Sequence, residues 1–300
     1  MTHQMNEIQT GDSFEELSNL PAESVHCVMT SPPYWNLRDY DHADQLGLEE
    51  TPEEFVANLA DVFDEVKRVL RPDGSLWLNL GDTYHNKDLQ QIPARVALAL
   101  QSRGLILRNR VTWAKPNPMP QSVKDRLNDT TEAVFHFVKN KDYWYDLDAI
   151  REPHQENTKA RAKRGLDSGH KLEDSAPGQS PHSIHQPSDE QGGLHPSGKN
   201  PGDVFEVTTK PFPEAHFAVY PPELCEKPIK ATCPEDGVVL DPFAGAGTTL
   251  LKAKELGRKF IGIELNPEYA DMARARIGLT PHDPSVVRGS DEQTGMEEWQ

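Results

Sequence analysis

Short apolar runs alternate along this chain with longer stretches whose apolar residues return every three or four positions. Strands are predicted at Ile8-Gln9-Thr10 before the turn Gly11-Asp12, at Val25-His26-Cys27-Val28-Met29, at Ser75-Leu76-Trp77-Leu78-Asn79-Leu80, and over 105–113, 133–139, 238–241 and 259–264, and order is expected to resume at 203–207. Helical spacing joins Phe55, Leu59, Val62, Phe63, Val66 and Leu70, after an N-cap at Thr51, a first-turn proline at Pro52 and acids at Glu53 and Glu54. Pro72-Asp73-Gly74 is expected to end that helix. Further helices are expected over 13–17, 91–103 and 222–231, and through Leu250, Leu251, Ala253 and Leu256. Helices alternating with short apolar strands predict an α/β fold, a mostly parallel sheet covered on both faces.

The pattern fails in two places. From about His154 to Gly202 the chain is rich in Pro, Gly, Ser, His and charge, which reads as a mobile insertion. Its histidines His170, His182, His185 and His195 lack zinc-like spacing, so no metal is expected. The last twenty or so residues are polar and acidic and read as a frayed tail. No segment resembles a signal peptide or approaches the length of a membrane span, and Cys27, Cys225 and Cys233 form no paired framework. A soluble protein of a reducing cytoplasm is therefore expected.

The formal charge of −17 speaks against a nucleic-acid partner until its distribution is considered. Between Asp39 and Asp73 eleven acids face three bases, but from Arg95 to Lys171 fifteen bases face nine acids. A basic face on an acidic body is compatible with DNA.

Two loops carry the candidate chemistry. Thr30-Ser31-Pro32-Pro33-Tyr34 follows a strand, and its two prolines fix φ and remove two N–H donors. One reading is a stiff loop whose hydroxyl, outward carbonyl and ring hold a flat, amino-bearing group; the other is a Pro-rich turn with Tyr34 covering the core. The second loop is Asp241-Pro242-Phe243-Ala244-Gly245-Ala246-Gly247-Thr248-Thr249, in which Gly245 and Gly247 allow backbone to approach a ligand. Twenty-three residues after Asp241, a further strand ends in Glu264, where an acid accepting from ribose hydroxyls belongs. A third glycine, usual around a pyrophosphate, is replaced by Leu250. A nucleoside without phosphate fits better, and S-adenosylmethionine is such a ligand.

The TSPPY loop, the DPFAGAGTT loop and the FIGIE strand together closely resemble the amino-group DNA methyltransferases, S-adenosylmethionine-dependent enzymes acting on cytosine N4 or adenine N6. The catalytic loop precedes the cofactor loop, the circularly permuted order of the β group. The resemblance extends to Trp113-Ala114-Lys115-Pro116-Asn117, Asn128-Asp129-Thr130-Thr131-Glu132 and Pro211-Phe212-Pro213-Glu214-Ala215-His216-Phe217-Ala218. It implies a Rossmann-like class I methyltransferase fold with a mostly parallel seven-stranded sheet and helices on both faces. Residues 1–141 would form the catalytic half, 142–202 a target-recognition insertion, 203–278 the cofactor half and 279–300 an acidic tail. The strands bearing Met29 and Asp241 would lie side by side, merging both loops into one cleft.

The same resemblance implies roles. Ser31 and the Pro32 carbonyl would accept the amine hydrogens, Pro33 would stiffen the loop, and Tyr34 would stack on a base flipped from duplex DNA. Gly245 and Gly247 would approach the methionine part of the cofactor, with Asp241, Phe243 and Thr248 lining the site and Glu264 on the ribose. Asp12 is placed at the adenine end, and Thr208, Thr209 and Phe217 in an additional cofactor motif. Arg108, Arg110, Lys115, Lys124 and Arg126 are expected at phosphates, and Arg151 and Arg164 in the recognition segment. Double-stranded DNA is the expected partner of a monomer or weak dimer, with any cognate restriction endonuclease a separate chain. Serine at the head of the PPY motif favours cytosine N4. The alternatives are adenine N6 and, from another class, a catalytically silent DNA-binding protein.

Overall fold

The computed structural model describes residues 5–37, 45–160, 194–210 and 219–279. Its strands are β1 (Glu7–Thr10), β2 (Val25–Thr30), β3 (Leu70–Leu80), β4 (Tyr84–His85), β5 (Asp88–Leu89), β6 (Ile106–Ala114), β7 (Thr131–Val138), β8 (Val204–Glu206), β9 (Val238–Asp241) and β10 (Lys259–Glu264). The helices are α1 (Ser13–Asn19), α2 (Pro52–Val69), α3 (Ile92–Ser102), α4 (Pro222–Thr232), α5 (Thr248–Glu255) and α6 (Pro267–Ile277).

The main sheet runs β1-β10-β9-β2-β3-β7-β6-β8, with β7 alone antiparallel to its neighbours. It has eight strands among the described residues rather than the seven expected, because three-residue β8 pairs in parallel along the edge of β6. Alternate residues of each strand enter opposite apolar layers. Leu76, Leu78 and Leu80 of β3, Phe135 and Phe137 of β7, and Ile261 and Ile263 of β10 pack under α1, α2 and α3. Met29, Val134, Val239 and Phe260 pack under α4, α5 and α6. The Thr51 hydroxyl accepts from the Glu54 N–H at 3.2 Å, so α2 begins where its capping pattern places it.

Pro72-Asp73-Gly74 does not separate helix from strand. β3 already begins at Leu70, and the extra residues are absorbed by a register shift against β2 between Val25 and Cys27. Remote residues satisfy the carbonyls this leaves: Asn140 Nδ2 donates to Pro72 O at 2.8 Å and the Trp144 N–H to Asp73 O at 3.0 Å.

Of the expected insertion, residues 161–193 lie outside the described residues, as do the family-like stretch 211–218 and the tail 280–300. The described ends of the insertion are joined. The Glu152 N–H donates to Lys199 O at 3.0 Å and the Lys199 N–H to Glu152 O at 2.8 Å, while the Asp146 N–H ties the segment to Ala231 O of α4. The three cysteines are buried and free. Among the described residues no helix is long and apolar enough to cross a membrane.

Candidate active site

β2 and β9 are neighbours in register, Cys27 opposite Val239 and Val28 opposite Leu240, so the Ser31 and Phe243 loops leave adjacent carboxyl ends. A buried hydrogen bond clamps these ends. Thr30 Oγ1 donates to Asp241 Oδ1 at 2.6 Å across 211 residues of sequence. The same carboxylate accepts from the Phe243 N–H at 3.1 Å and from the Tyr220 hydroxyl at 3.2 Å. Thr249 donates to Met29 O at 3.0 Å and bonds the Tyr220 hydroxyl. Burial pushes the pKa of Asp241 up, against the pull of these donors. Asp241 is wholly buried and acts from below as the keystone joining the two loops.

Beside it, Gly245 and Gly247 take left-handed conformations, φ +50° and +74°. A Cβ on Gly245 would meet nothing within 4 Å, so its backbone borders open space, whereas one on Gly247 would reach 3.0 Å from Ala273 Cβ of α6. The first glycine leaves room for a ligand and the second lets a helix close in. Glu264 Oε2 accepts from the Gly245 N–H at 2.7 Å and Oε1 from the Asn266 N–H at 2.9 Å. Each oxygen retains a lone pair for a hydroxyl donor, and burial raises this carboxyl's pKa as well. The open backbone and the fixed, partly free carboxylate fit a ribonucleoside ligand such as S-adenosylmethionine.

Asp12 caps α1, accepting from the Phe14 and Glu15 N–H groups at 2.9 and 3.0 Å. Its turn is pinned to this end of the sheet by Ser13 Oγ on Pro242 O at 2.6 Å and by the Gly11 N–H on Glu264 O at 3.0 Å. Phe243 is partly buried against the α1–α3 layer, and Arg276 donates to the buried Thr248 hydroxyl at 2.9 Å. Thr208 and Thr209 are not brought to the glycine turn. They follow β8, five strands from β9, or roughly 24 Å at about 4.8 Å per strand. Thr209 is locked to the far rim, its N–H donating to Asn117 Oδ1 and its carbonyl accepting from Asn117 Nδ2, both at 2.9 Å. Phe217 lies outside the described residues.

On the catalytic side, Asn79 and Glu132, unassigned from sequence, and Lys115, expected at a phosphate, surround the Ser31-Pro32-Pro33-Tyr34 loop. Ser31 Oγ lies 3.2 Å from the Tyr34 hydroxyl, which donates to Glu132 Oε2 at 2.7 Å. Asn79 Nδ2 reaches Ser31 Oγ at 3.2 Å and both the Tyr34 hydroxyl and Glu132 Oε2 at 2.8 Å. Lys115 forms an ion pair with Glu132 Oε1 and stands over the Trp113 ring at 4.6 Å. The Tyr34 ring packs on Gly81, where a Cβ would come within 2.5 Å of Cε2. Burial and the adjacent Glu132 charge push the Tyr34 pKa well above its ordinary value, keeping it protonated. Asn79 Oδ1 is buried without a hydrogen-bond partner, an acceptor left over in a pocket that otherwise satisfies its polar groups. One signal in the sequence pointed here: Asn79 is the lone polar residue within Leu76-Trp77-Leu78-Asn79-Leu80.

The basic candidates divide. Arg110 and Lys124 are exposed, and Arg108 is exposed with its guanidinium donating to the Tyr143 hydroxyl at 3.0 Å. Arg126 bonds Gln121, Leu127 O and Asp129 and lies 3.9 Å from the Tyr84 ring centroid, bracing the β6–β7 loop. Arg151 bonds Asp148 and Gly198 O, Lys115 turns inward to Glu132, and Arg164 lies outside the described residues.

Residues 25–275 match the DNA methylase family N6_N4_Mtase. The chain is 40% identical to the type II methyltransferase M.XycI of Xanthomonas campestris pv. cyanopsidis, over 93% of this chain and 89% of that protein. Among solved structures, the PvuII DNA methyltransferase (cytosine-N4-specific) superposes with a TM-score of 0.66 at 24% identity, covering 95% of this chain and 89% of that one. A DNA modification methylase homologue of Thermus thermophilus, TTHA0409, was solved complexed with S-adenosyl-L-methionine. It superposes with a TM-score of 0.58 at 26% identity, covering 91% of this chain and 95% of that one.

Proposed function

On the premise that this chain belongs to the N6/N4 DNA methylase family, we propose that it methylates the exocyclic N4 amine of cytosine in double-stranded DNA, at a specific site and on a flipped-out base. The observation that carries this reading is Ser31 at the head of the Pro-Pro-Tyr loop, held by Asn79 and Tyr34 beside the loop of Gly245 and Glu264. The cytosine-N4 specificity of the superposable PvuII enzyme and the serine itself support the choice of base.

S-adenosylmethionine is the cofactor and supplies an electrophilic methyl group. Glu264 holds its ribose hydroxyls, the Gly245-Ala246-Gly247 turn meets its methionine end, and Phe243 lines the site above the buried Asp241. Ser31 Oγ and the Pro32 carbonyl accept the amine hydrogens, which turns the nitrogen lone pair toward the methyl group and stabilises charge as it develops. The Tyr34 ring, supported from one side by Gly81, presents a face to the base. Arg108, Arg110 and Lys124 contact phosphates, while the segment 142–202 reads the target sequence. The relatives' type II assignment favours a restriction-modification role with a separate cognate endonuclease.

The test is incubation with S-adenosylmethionine and unmethylated genomic DNA, digestion to nucleosides and mass spectrometry. N4-methylcytosine, lost in Ser31→Ala, is the expected product. N6-methyladenine would overturn the base assignment while leaving the amine chemistry in place.

A further inference from the structure

Methylation of an amine leaves a surplus proton on nitrogen, and serine is too weak a base to keep it. We infer that Ser31, Tyr34 and Glu132 form a one-way proton relay that carries this proton from the substrate amine to the Glu132 carboxylate, with Asn79 as the residue that orients it. The inference rests on the amine-methylation reading above and adds to it the proton's destination. The chain of groups is continuous: Ser31 Oγ to the Tyr34 hydroxyl at 3.2 Å, and that hydroxyl to Glu132 Oε2 at 2.7 Å.

The direction follows from the donors. Asn79 offers only N–H groups on this side, at 3.2 Å from Ser31 Oγ and 2.8 Å from the Tyr34 oxygen. The two hydrogens of Nδ2 are shared among these oxygens and Glu132 Oε2, and because the single Tyr34 hydrogen goes to Glu132, Ser31 is the donor to Tyr34, so the hydroxyl hydrogens point onward, Ser31 to Tyr34 and Tyr34 to Glu132. The amide must face this way, because its third neighbour at 2.8 Å is the Glu132 carboxylate, which only accepts. A lone pair of Ser31 Oγ remains for the amine hydrogen.

In the step, the amine N–H bond breaks and its electron pair stays on nitrogen. Ser31 Oγ takes the proton and passes its own to Tyr34, and Tyr34 passes its own to Glu132, which becomes a carboxylic acid. Both hydroxyls end neutral. Glu132 later loses the proton to water.

The experiment is single-turnover methylation against pH for wild type, Glu132→Gln, Tyr34→Phe and the double variant, with cofactor and DNA affinities measured alongside. Glu132→Gln keeps an acceptor for the Tyr34 hydroxyl but loses the ion pair with Lys115 and cannot take a proton. It should lose about a hundredfold or more in rate with both affinities unchanged. The wild-type rise in rate with ionisation of one carboxyl group should vanish in this variant. Tyr34→Phe should lose similarly, and the double variant no more than the worse single one, as for groups acting in one unit. A Glu132→Gln rate within about twofold of wild type, or losses that multiply, would overturn the relay. Formation of N6-methyladenine changes the base assignment alone.

Discussion

Replacing Gly262 by alanine tests how the cofactor turn is held against the sheet. A Cβ at this position falls 2.3 Å from Leu250 Cδ1 and 3.3 Å from both Ala244 Cβ and Ile8 Cγ1. Carbon atoms in favourable contact sit about 3.5–4.0 Å apart, so Leu250 must withdraw by roughly 1 Å or more. It cannot do so freely, being fully buried on α5 within the apolar layer of α4, α5 and α6. Overpacking of this kind costs about 1–3 kcal/mol, offset in part by the ~0.4–1 kcal/mol that alanine gains over glycine through the unfolded chain. A net loss of about 1–2 kcal/mol is expected, read as a lower urea midpoint at unchanged slope. Leu250→Ala alone should cost about 2–5 kcal/mol, but it opens the space that the new methyl group needs. In that background Gly262→Ala should be close to neutral, a coupling of about 1–2 kcal/mol between residues in contact. Equal costs in both backgrounds would refute the argument that Leu250 requires a glycine opposite it. Because Gly247 caps the start of α5 at Thr248, cofactor affinity should weaken in Gly262→Ala and recover in the double variant.

Thr30→Val removes a donor at 2.6 Å from a buried carboxylate and should cost about 1.5–3 kcal/mol in urea unfolding, whereas a loss under about 0.5 kcal/mol would mean the clamp between β2 and β9 is dispensable. Burial holds the Glu264 pKa above its ordinary value, and in the function proposed above ribose hydroxyls donate to its ionised form. Affinity for S-adenosylmethionine should therefore fall as pH drops through that raised pKa, and Glu264→Gln should bind weakly with no such dependence in calorimetric titrations. His136, stacked on Trp77 with ring centroids 4.2 Å apart, is held neutral by burial, its pKa lowered from 6.5 to about 3. Below the unfolded value the unfolded chain binds a proton that the folded protein refuses, so this residue's contribution to stability falls on acidification by up to about 1.4 kcal/mol per pH unit. Unfolding midpoints at stepped pH should show this acid slope flattened in His136→Phe.

Much of the architecture was legible because it depends on residues close in sequence. The Thr51 cap, the apolar spacing of α2, and the short, mostly apolar strands β2, β9 and β10 each encode their own element, and the left-handed turn at Gly245 and Gly247 follows from the glycines themselves. The adjacency of the Met29 and Asp241 strands was reachable only through resemblance, since no local signal joins segments more than two hundred residues apart. Leu250 looked like the absence of a third glycine, yet close helix–sheet packing is achieved from the strand side by Gly262. Pro72-Asp73-Gly74 has the composition of a turn, but within β3 its carbonyls find donors in Asn140 and Trp144. Lys115 was expected at a phosphate, and Thr208 and Thr209 at the cofactor; the ion pair with Glu132 turns Lys115 inward, and Thr208 and Thr209 follow β8, five strands from β9.

Sequence alone thus determined most of the helices and strands, the glycine turn after β9, and that a hydroxyl heads a stiff loop, while α6 and the start of β3 at Leu70 escaped it. Tertiary structure alone decided that Asn79, Glu132 and Lys115 meet at that hydroxyl. The physical reason is range. Propensity, capping and periodicity act over a few residues, whereas a buried polar group must find its partner wherever the fold brings one, here 48 residues from Asn79 to Ser31 and 98 from Tyr34 to Glu132.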